Sequence, residues 1–181
     1  MNTNSFLKEK ISEINWPSVS NDMNERGYSL VPQFLHDQYC QELIDKYDNV
    51  DLYRKSITME RYSFGLGQYK YFKYPLPDLI QTIREMVYPK LVPIANTWMK
   101  ILNIKIHYPD KLDELLRLCH QNNQTKPTVL ILKYGKGGHN TLHQDLYGDI
   151  FFPFQLILFL NAVDGDYTGG EFVLTQQIPR A

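Results

Sequence analysis

The run at 128–134 (TVLILKY) is β-branched and apolar on both of its faces, and a strand of that kind is stable only where neighbours cover it from two sides. We expect it inside a barrel rather than on a rim. A glycine-bearing turn follows (Gly135, Gly137, Gly138), and then His143, Gln144 and Asp145. On a strand, alternate residues share a face about 6.5 Å apart, so the imidazole and the carboxylate converge while Gln144 faces away. One histidine and one carboxylate are two of the three ligands in the facial arrangement that leaves positions open on a non-haem ferrous ion.

Taken in order, the chain places helices first and sheet second. Phe6, Leu7, Ile11 and Ile14 recur at helical spacing, Trp16-Pro17 ends or bends that helix, and a second short helix closes at Gly27, a C′ glycine. Residues 28–31 read as a short strand, and Asp37 as the cap of a helix through Asp45. The stretch 57–77 (ITMERYSFGLGQYKYFKYPLP) is aromatic and glycine-bearing, with Arg61, Lys70 and Lys73 between the rings. It suits a strand or loop laid over a site, and aromatic faces beside cations are what base stacking requires; covering a core is the ordinary alternative. Asp78 opens a helix interrupted near Pro89, a second piece runs from Leu91 to about Leu102, and residues 110–120 form another amphipathic helix. The apolar run 154–160 and the alternating segment 171–175 read as further strands, joined by a turn over 161–170 in which Gly169 and Gly170 take positive φ.

The segments RGYSLVPQFL, FGLGQYKYFKYPLP, LVPIANTW, HQDLYGD and TGGEFVLTQQ, spread from Arg26 to Gln177, resemble the Fe(II)/2-oxoglutarate-dependent dioxygenases on their prolyl-hydroxylase-like side. More narrowly they are similar to a bacterial subgroup for which oxidative demethylation of damaged nucleic acid has been proposed. The resemblance implies an α+β fold in which N-terminal helices, to about residue 125, brace a double-stranded β-helix (jelly roll) from about 126 to 181, all one domain. It implies His143 and Asp145 as metal ligands and Tyr134 as a contact of 2-oxoglutarate, with no side chain assigned as a catalytic acid or base; Arg61, Tyr69 and Tyr71, from the aromatic and cationic stretch, are the expected substrate contacts. Fe(II) is the implied metal, and 2-oxoglutarate and dioxygen the implied reactants, with hydroxylation of a C–H or N-methyl group of alkylated nucleic acid the implied reaction.

The same pattern requires a second histidine, and then an arginine or lysine for the far carboxylate of 2-oxoglutarate. No histidine follows His143, and Ala181 closes the sequence. The expectation is therefore a jelly roll truncated at its C-terminal strands, with exposed edges that invite self-association. His139 or another chain are substitute donors. The readings that compete with an oxygenase are a binding or scaffold module without catalysis, and a metal-binding cupin that uses other oxidants.

Composition narrows the setting. A net charge of −1 lacks the basic excess usual in nucleic-acid-binding domains, yet residues 1–50 hold 4 basic and 8 acidic side chains against 8 and 4 in residues 51–100. That middle segment is the electrostatic candidate for an anionic partner, a solvated helix face being the plainer account. Cys40 and Cys119 form no metal or disulfide spacing, the first residues carry no apolar leader, and no apolar run approaches the ~20 residues of a membrane span. A cytoplasmic protein is expected.

Overall fold

Residues 3–145 and 147–176 are described by the structure, a computed structural model. The fold is mixed helix and antiparallel sheet. Helices α1 (Thr3–Glu13), α2 (Trp16–Arg26) and α3 (Asp37–Asp45) come first, followed by strands β1 (Tyr53–Thr58), β2 (Gly65–Leu66) and β3 (Gln68–Phe72). Helices α4 (Asp78–Ile101) and α5 (Leu112–Gln121) then precede β4 (Leu130–Lys133) and β5 (His139–Asn140). Gly27 closes α2 at φ 77° with its N–H on Met23 O, as a C′ glycine should. Asp37 is not the cap of α3: His36 holds that position, without a side-chain bond, and Asp37 is the first helical residue, where its charge suits the helix dipole.

Helix α4 is unbroken through Pro89 and Pro93, contrary to the expected interruption. The reason lies in which side the prolines occupy. Glu85, Pro89, Pro93 and Thr97 are all exposed, so the carbonyls that lose an N–H partner face solvent, and Thr97 Oγ1 donates to Pro93 O at 2.8 Å. On its other side α4 spans two hydrophobic clusters. Leu79, Ile83 and Val87 pack with Phe6, Leu43 and Phe72; Val92, Ala95 and Met99 pack with Tyr108 and Leu115, and Phe152 and Phe154 close over them. No helix among the described residues is long and apolar enough to cross a membrane.

Three strands form one sheet in the order β1-β3-β4, and β2 pairs with β5 in a separate two-stranded ribbon. In the larger sheet Ser56 faces Lys70, Ile57 faces Tyr69, and across β3 Lys70 faces Ile131 and Tyr69 faces Leu132. Lys70, Phe72 and Ile131 therefore share the covered face, while Tyr69, Tyr71 and Leu132 share the other. Among the described residues β4 has a ladder on one side, with Ile131 buried and Leu132 exposed, so it is an edge where a fully covered strand was expected.

The segments 28–31, 154–160 and 171–175, expected as strands, form no ladder. A strand requires a bonded neighbour, and the apolar side chains of the second segment are used in packing: Phe154 joins the cluster around Met99, and Leu158 and Leu160 that around Phe72. The intervening turn is as expected. Asp166 accepts from Ala162 N at 2.9 Å and Asn161 Nδ2 at 3.3 Å, bonds that hold its carboxyl below the usual range, and Gly169 and Gly170 have φ 73° and 70°. Residues 177–181, the final part of the expected barrel, lie outside the described residues.

Candidate metal and substrate site

The ribbon β2–β5 positions the site. Gly65 pairs with Asn140 and Leu66 with His139; a Cβ on Gly65 would stand 2.1 Å from His139 O, so only glycine permits this approach. Thr141 extends the pairing by donating its N–H to Phe64 O at 2.8 Å. Tyr134 is held at the base of the same turn, its ring against Gly67, its Cβ against Gly138 and its hydroxyl bonded to Asn140. Burial pushes the Tyr134 hydroxyl up, and the Asn140 bond opposes that.

Beyond Thr141 the chain leaves the ladder, so His143 and Asp145 do not lie on a strand as the alternation suggested. They are turned together all the same. The Nδ1 of His143 lies 2.7 Å from Thr141 O; a carbonyl only accepts, so Nδ1 carries a proton and Nε2 is the nitrogen turned toward Asp145. Nε2 is 3.4 Å from Asp145 Oδ1, and both side chains are solvent-accessible. The second carboxylate oxygen, Oδ2, accepts from Gln155 Nε2 at 2.7 Å. Two donors each about 2.1 Å from a shared divalent ion stand roughly 3.0 Å apart at a right angle, so the spacing fits two corners of a metal site. No group of three or more His, Cys, Asp or Glu side chains that would complete such a site occurs among the described residues. His139 is exposed, its ring 3.3 Å from Gly137 O.

The open face of the sheet faces this pair through tyrosines. Tyr69 and Tyr71 meet edge to face at 5.4 Å, and the Arg54 guanidinium lies 4.3 Å over Tyr71 while donating to Pro127 O at 2.9 and 3.1 Å. The Tyr147 hydroxyl is pushed up by desolvation, then by Asp145, to which it is hydrogen-bonded, and by Tyr71. The Tyr69 hydroxyl is pushed up by burial, then by Tyr71, with Tyr147 and Tyr62 contributing. Of the sequence-predicted residues, the structure thus brings His143, Asp145, Tyr69 and Tyr71 into one neighbourhood, with Tyr147 as the link. Arg61 lies exposed in the 3₁₀ turn Met59–Tyr62, which leads into the Phe64–Thr141 end of the ribbon.

Lys70 requires a correction. It is 8% exposed, its ammonium donates to Tyr47 O at 2.8 Å and sits 4.0 Å from that ring, on the face away from Tyr69. A cation there is part of the fold and is not presented to a substrate. Gln155 and Arg54 escaped sequence reading, Gln155 because nothing in an apolar run marks one amide as the partner of a carboxylate ten residues earlier. Gly65 was legible in principle, since a glycine inside a strand pattern marks a close backbone approach. Two clefts of the described surface, about 220 Å³ beside Arg54 and Lys55 and about 520 Å³ beside Asn96 and His107, lie elsewhere.

The ribbon carries an imidazole–carboxylate pair beside a tyrosine-lined sheet, and the comparisons with known proteins name the class. Residues 67–181 match the model of a family of oxygenases described as catalysing oxidative methylation of damaged DNA, and the chain belongs to that family. Two relatives, uncharacterised proteins of Mycobacterium tuberculosis strains CDC 1551 and H37Rv, are each 47% identical to it over 110 residues. That match covers 61% of this chain and 47% of each relative, so the chain spans about half the length of the relatives it matches. No solved structure matches it.

Proposed function

We propose that the chain acts as an Fe(II)- and 2-oxoglutarate-dependent dioxygenase on an N-methyl or other C–H group of alkylated nucleic acid, within a single domain of jelly-roll kind. The observation that carries this is the orientation of the pair: His143 Nδ1 is tied to Thr141 O, leaving Nε2 3.4 Å from Asp145 Oδ1. Imidazoles that bind metals are commonly fixed in this way by a bond from the other ring nitrogen. His143 and Asp145 would hold the ion, and Gln155 keeps the carboxylate turned toward it. When bound, the ion and its keto-acid cosubstrate supply dioxygen activation and oxidation of a C–H bond. Tyr134 contacts 2-oxoglutarate; Tyr69 and Tyr71 wall the substrate and, with Tyr147, exclude water from it; Arg61 meets its phosphates. Hydroxylation of an N-methyl carbon gives a hemiaminal that releases formaldehyde, so the net change on the base is loss of the methyl group.

The decisive measurement is succinate formation coupled to oxygen uptake, with Fe(II), 2-oxoglutarate and a methylated oligonucleotide. We expect equal amounts of succinate and formaldehyde, both absent in His143→Ala and Asp145→Ala. A second reading, a binding module without turnover, is favoured by the lack of a third side-chain donor beside the pair among the described residues. Oligonucleotide binding without succinate, at saturating iron, would select it.

A further inference from the structure

Tyr62 and Phe64 have no part in the reading above, and they stand out on the surface. Their rings are nearly parallel, 21° apart with centroids at 5.6 Å, and they are 52% and 44% exposed. Paired aromatic faces left in water are an unfavourable use of apolar area unless something covers them. Their support is tied to the metal pair by a single residue: Thr141 donates its N–H to Phe64 O, and its own carbonyl receives His143 Nδ1. Tyr62 and Tyr147 lie near enough to the Tyr69–Tyr71 pair, whose rings meet edge to face at 5.4 Å, for each to push up the Tyr69 hydroxyl. Basic side chains outnumber acidic ones in the segments that build the ribbon and its flanking strands: 60–77 and 126–145 hold Arg61, Lys73, Lys126 and Lys136, besides Lys70 and Lys133, whose ammonium groups lie against the Tyr47 ring, and the carboxylates are Glu60 and Asp145, in a chain of net charge −1.

We propose that Tyr62 and Phe64 form a stacking platform for an unpaired nucleic-acid strand, holding a base next to the one set against Tyr69 and Tyr71. This rests on the nucleic-acid reading of the same site. Bases in a duplex are already stacked on both faces and offer a lateral ring pair nothing, whereas an unpaired or extruded base presents a free π-face. The cations supply the backbone attraction that every such groove uses, and the rings supply the preference for single strands.

The test is fluorescence anisotropy with metal-free protein and labelled oligonucleotides, so that it runs independently of turnover. A Tyr62→Ala/Phe64→Ala double variant should lose roughly 10-fold or more in affinity for a single strand, because stacking is worth that much per base, and keep its weak duplex affinity. Tyr62→Trp/Phe64→Trp should bind single strands at least as well as the parent, and Lys136→Gln should flatten the salt dependence without changing strand preference. The platform is refuted if the alanine variant binds single strands like the parent, if both forms of DNA lose affinity equally, or if polyglutamate binds with the same dependence on the two rings. Should ring-dependent binding survive while no succinate is ever formed, the platform stands and the oxygenase reading fails; the reverse result removes the platform alone.

Discussion

The packing around α4 and the stretch from Tyr134 to Gln176 are built to different rules. Around α4, Leu7, Phe72, Ile83, Val92 and Tyr108 are almost wholly removed from water. In the later stretch Leu142, Tyr147, Phe159, Val163, Phe172 and Leu174 are each more than half exposed, and the described residues between β5 and Gln176 form no further strand. The imidazole and the carboxylate belong to the second region. Its geometry is held by a few local bonds, those from Thr141, Asn140 and Gln155, while the first region supplies the rigid sheet against which the tyrosines are arrayed. Such a division is ordinary for functional sites, which draw on the less stable parts of a structure.

The comparison is put at greatest risk by Phe72→Ala. Phe72 is 1% exposed between Tyr53 and the α4 side chains, and deleting a buried phenyl ring costs about 3–5 kcal/mol. Denaturant unfolding should show that loss, whereas His143→Ala, at an exposed site, should stay within about 0.5 kcal/mol of the parent. Equal losses would mean that the two regions fold as one packed body. Next in size is Gln155→Ala. Without its bond to Asp145 the carboxylate is free to rotate, and affinity for Fe(II) or Co(II) under anaerobic conditions should fall about 10- to 100-fold with stability unchanged. An unchanged metal titration would show that the carboxylate is oriented without Gln155.

Smaller again is an effect on association. Phe159 and Phe172 meet edge to face at 6.2 Å with both rings mainly in solvent, beside Val173 and Leu174, and β4 leaves one ladder edge open among the described residues. Sedimentation should reveal concentration-dependent self-association that Phe172→Glu weakens severalfold. A monomer at every concentration would show that these side chains are tolerated in water.

What the sequence disclosed follows the same division. Elements whose signal is local were legible: the left-handed Gly27, the stripe of Leu79, Ile83 and Val87, and the tight turn around Gly169 each depend on neighbours a few positions away. The continuity of α4 was not, because a proline marks a missing bond without saying whether the orphaned carbonyl faces water. The run at 154–160 was misread for a different reason. Continuous apolar text is equally suited to a covered strand and to a segment laid across helices, and the choice depends on whether a ladder partner exists. His143 and Asp145 were found through strand alternation, yet in the structure they meet through a bond from the imidazole to Thr141. The same two residues converge by a different local geometry. Lys70 shows the limit most plainly, since text reading YKYFK offers no clue that one lysine is sealed beneath Tyr47 while the next is in solvent.

The least effect at neutral pH, and the finest probe of the packed region, is alkaline titration. The Tyr53 hydroxyl is pushed up to about 12, first by burial and then by Tyr47 and Asp48, and it donates to Lys46 O at 3.0 Å. A group whose folded pKa is raised favours the folded state in its protonated form. That contribution is whole below the ordinary tyrosine value of about 10 and is lost as pH climbs toward 12. Stability should therefore be flat around Tyr53 up to pH 10 and fall over the next two units, and Tyr53→Phe should flatten that fall at the cost of one hydrogen bond. Tyr147 is mainly exposed, so water screens the upward push on its hydroxyl, and Tyr147→Phe should move the alkaline limb far less than Tyr53→Phe does. If the two replacements moved it alike, Tyr53 would be no better shielded than a residue of the open region, and the contrast between the two regions would not hold at the sheet.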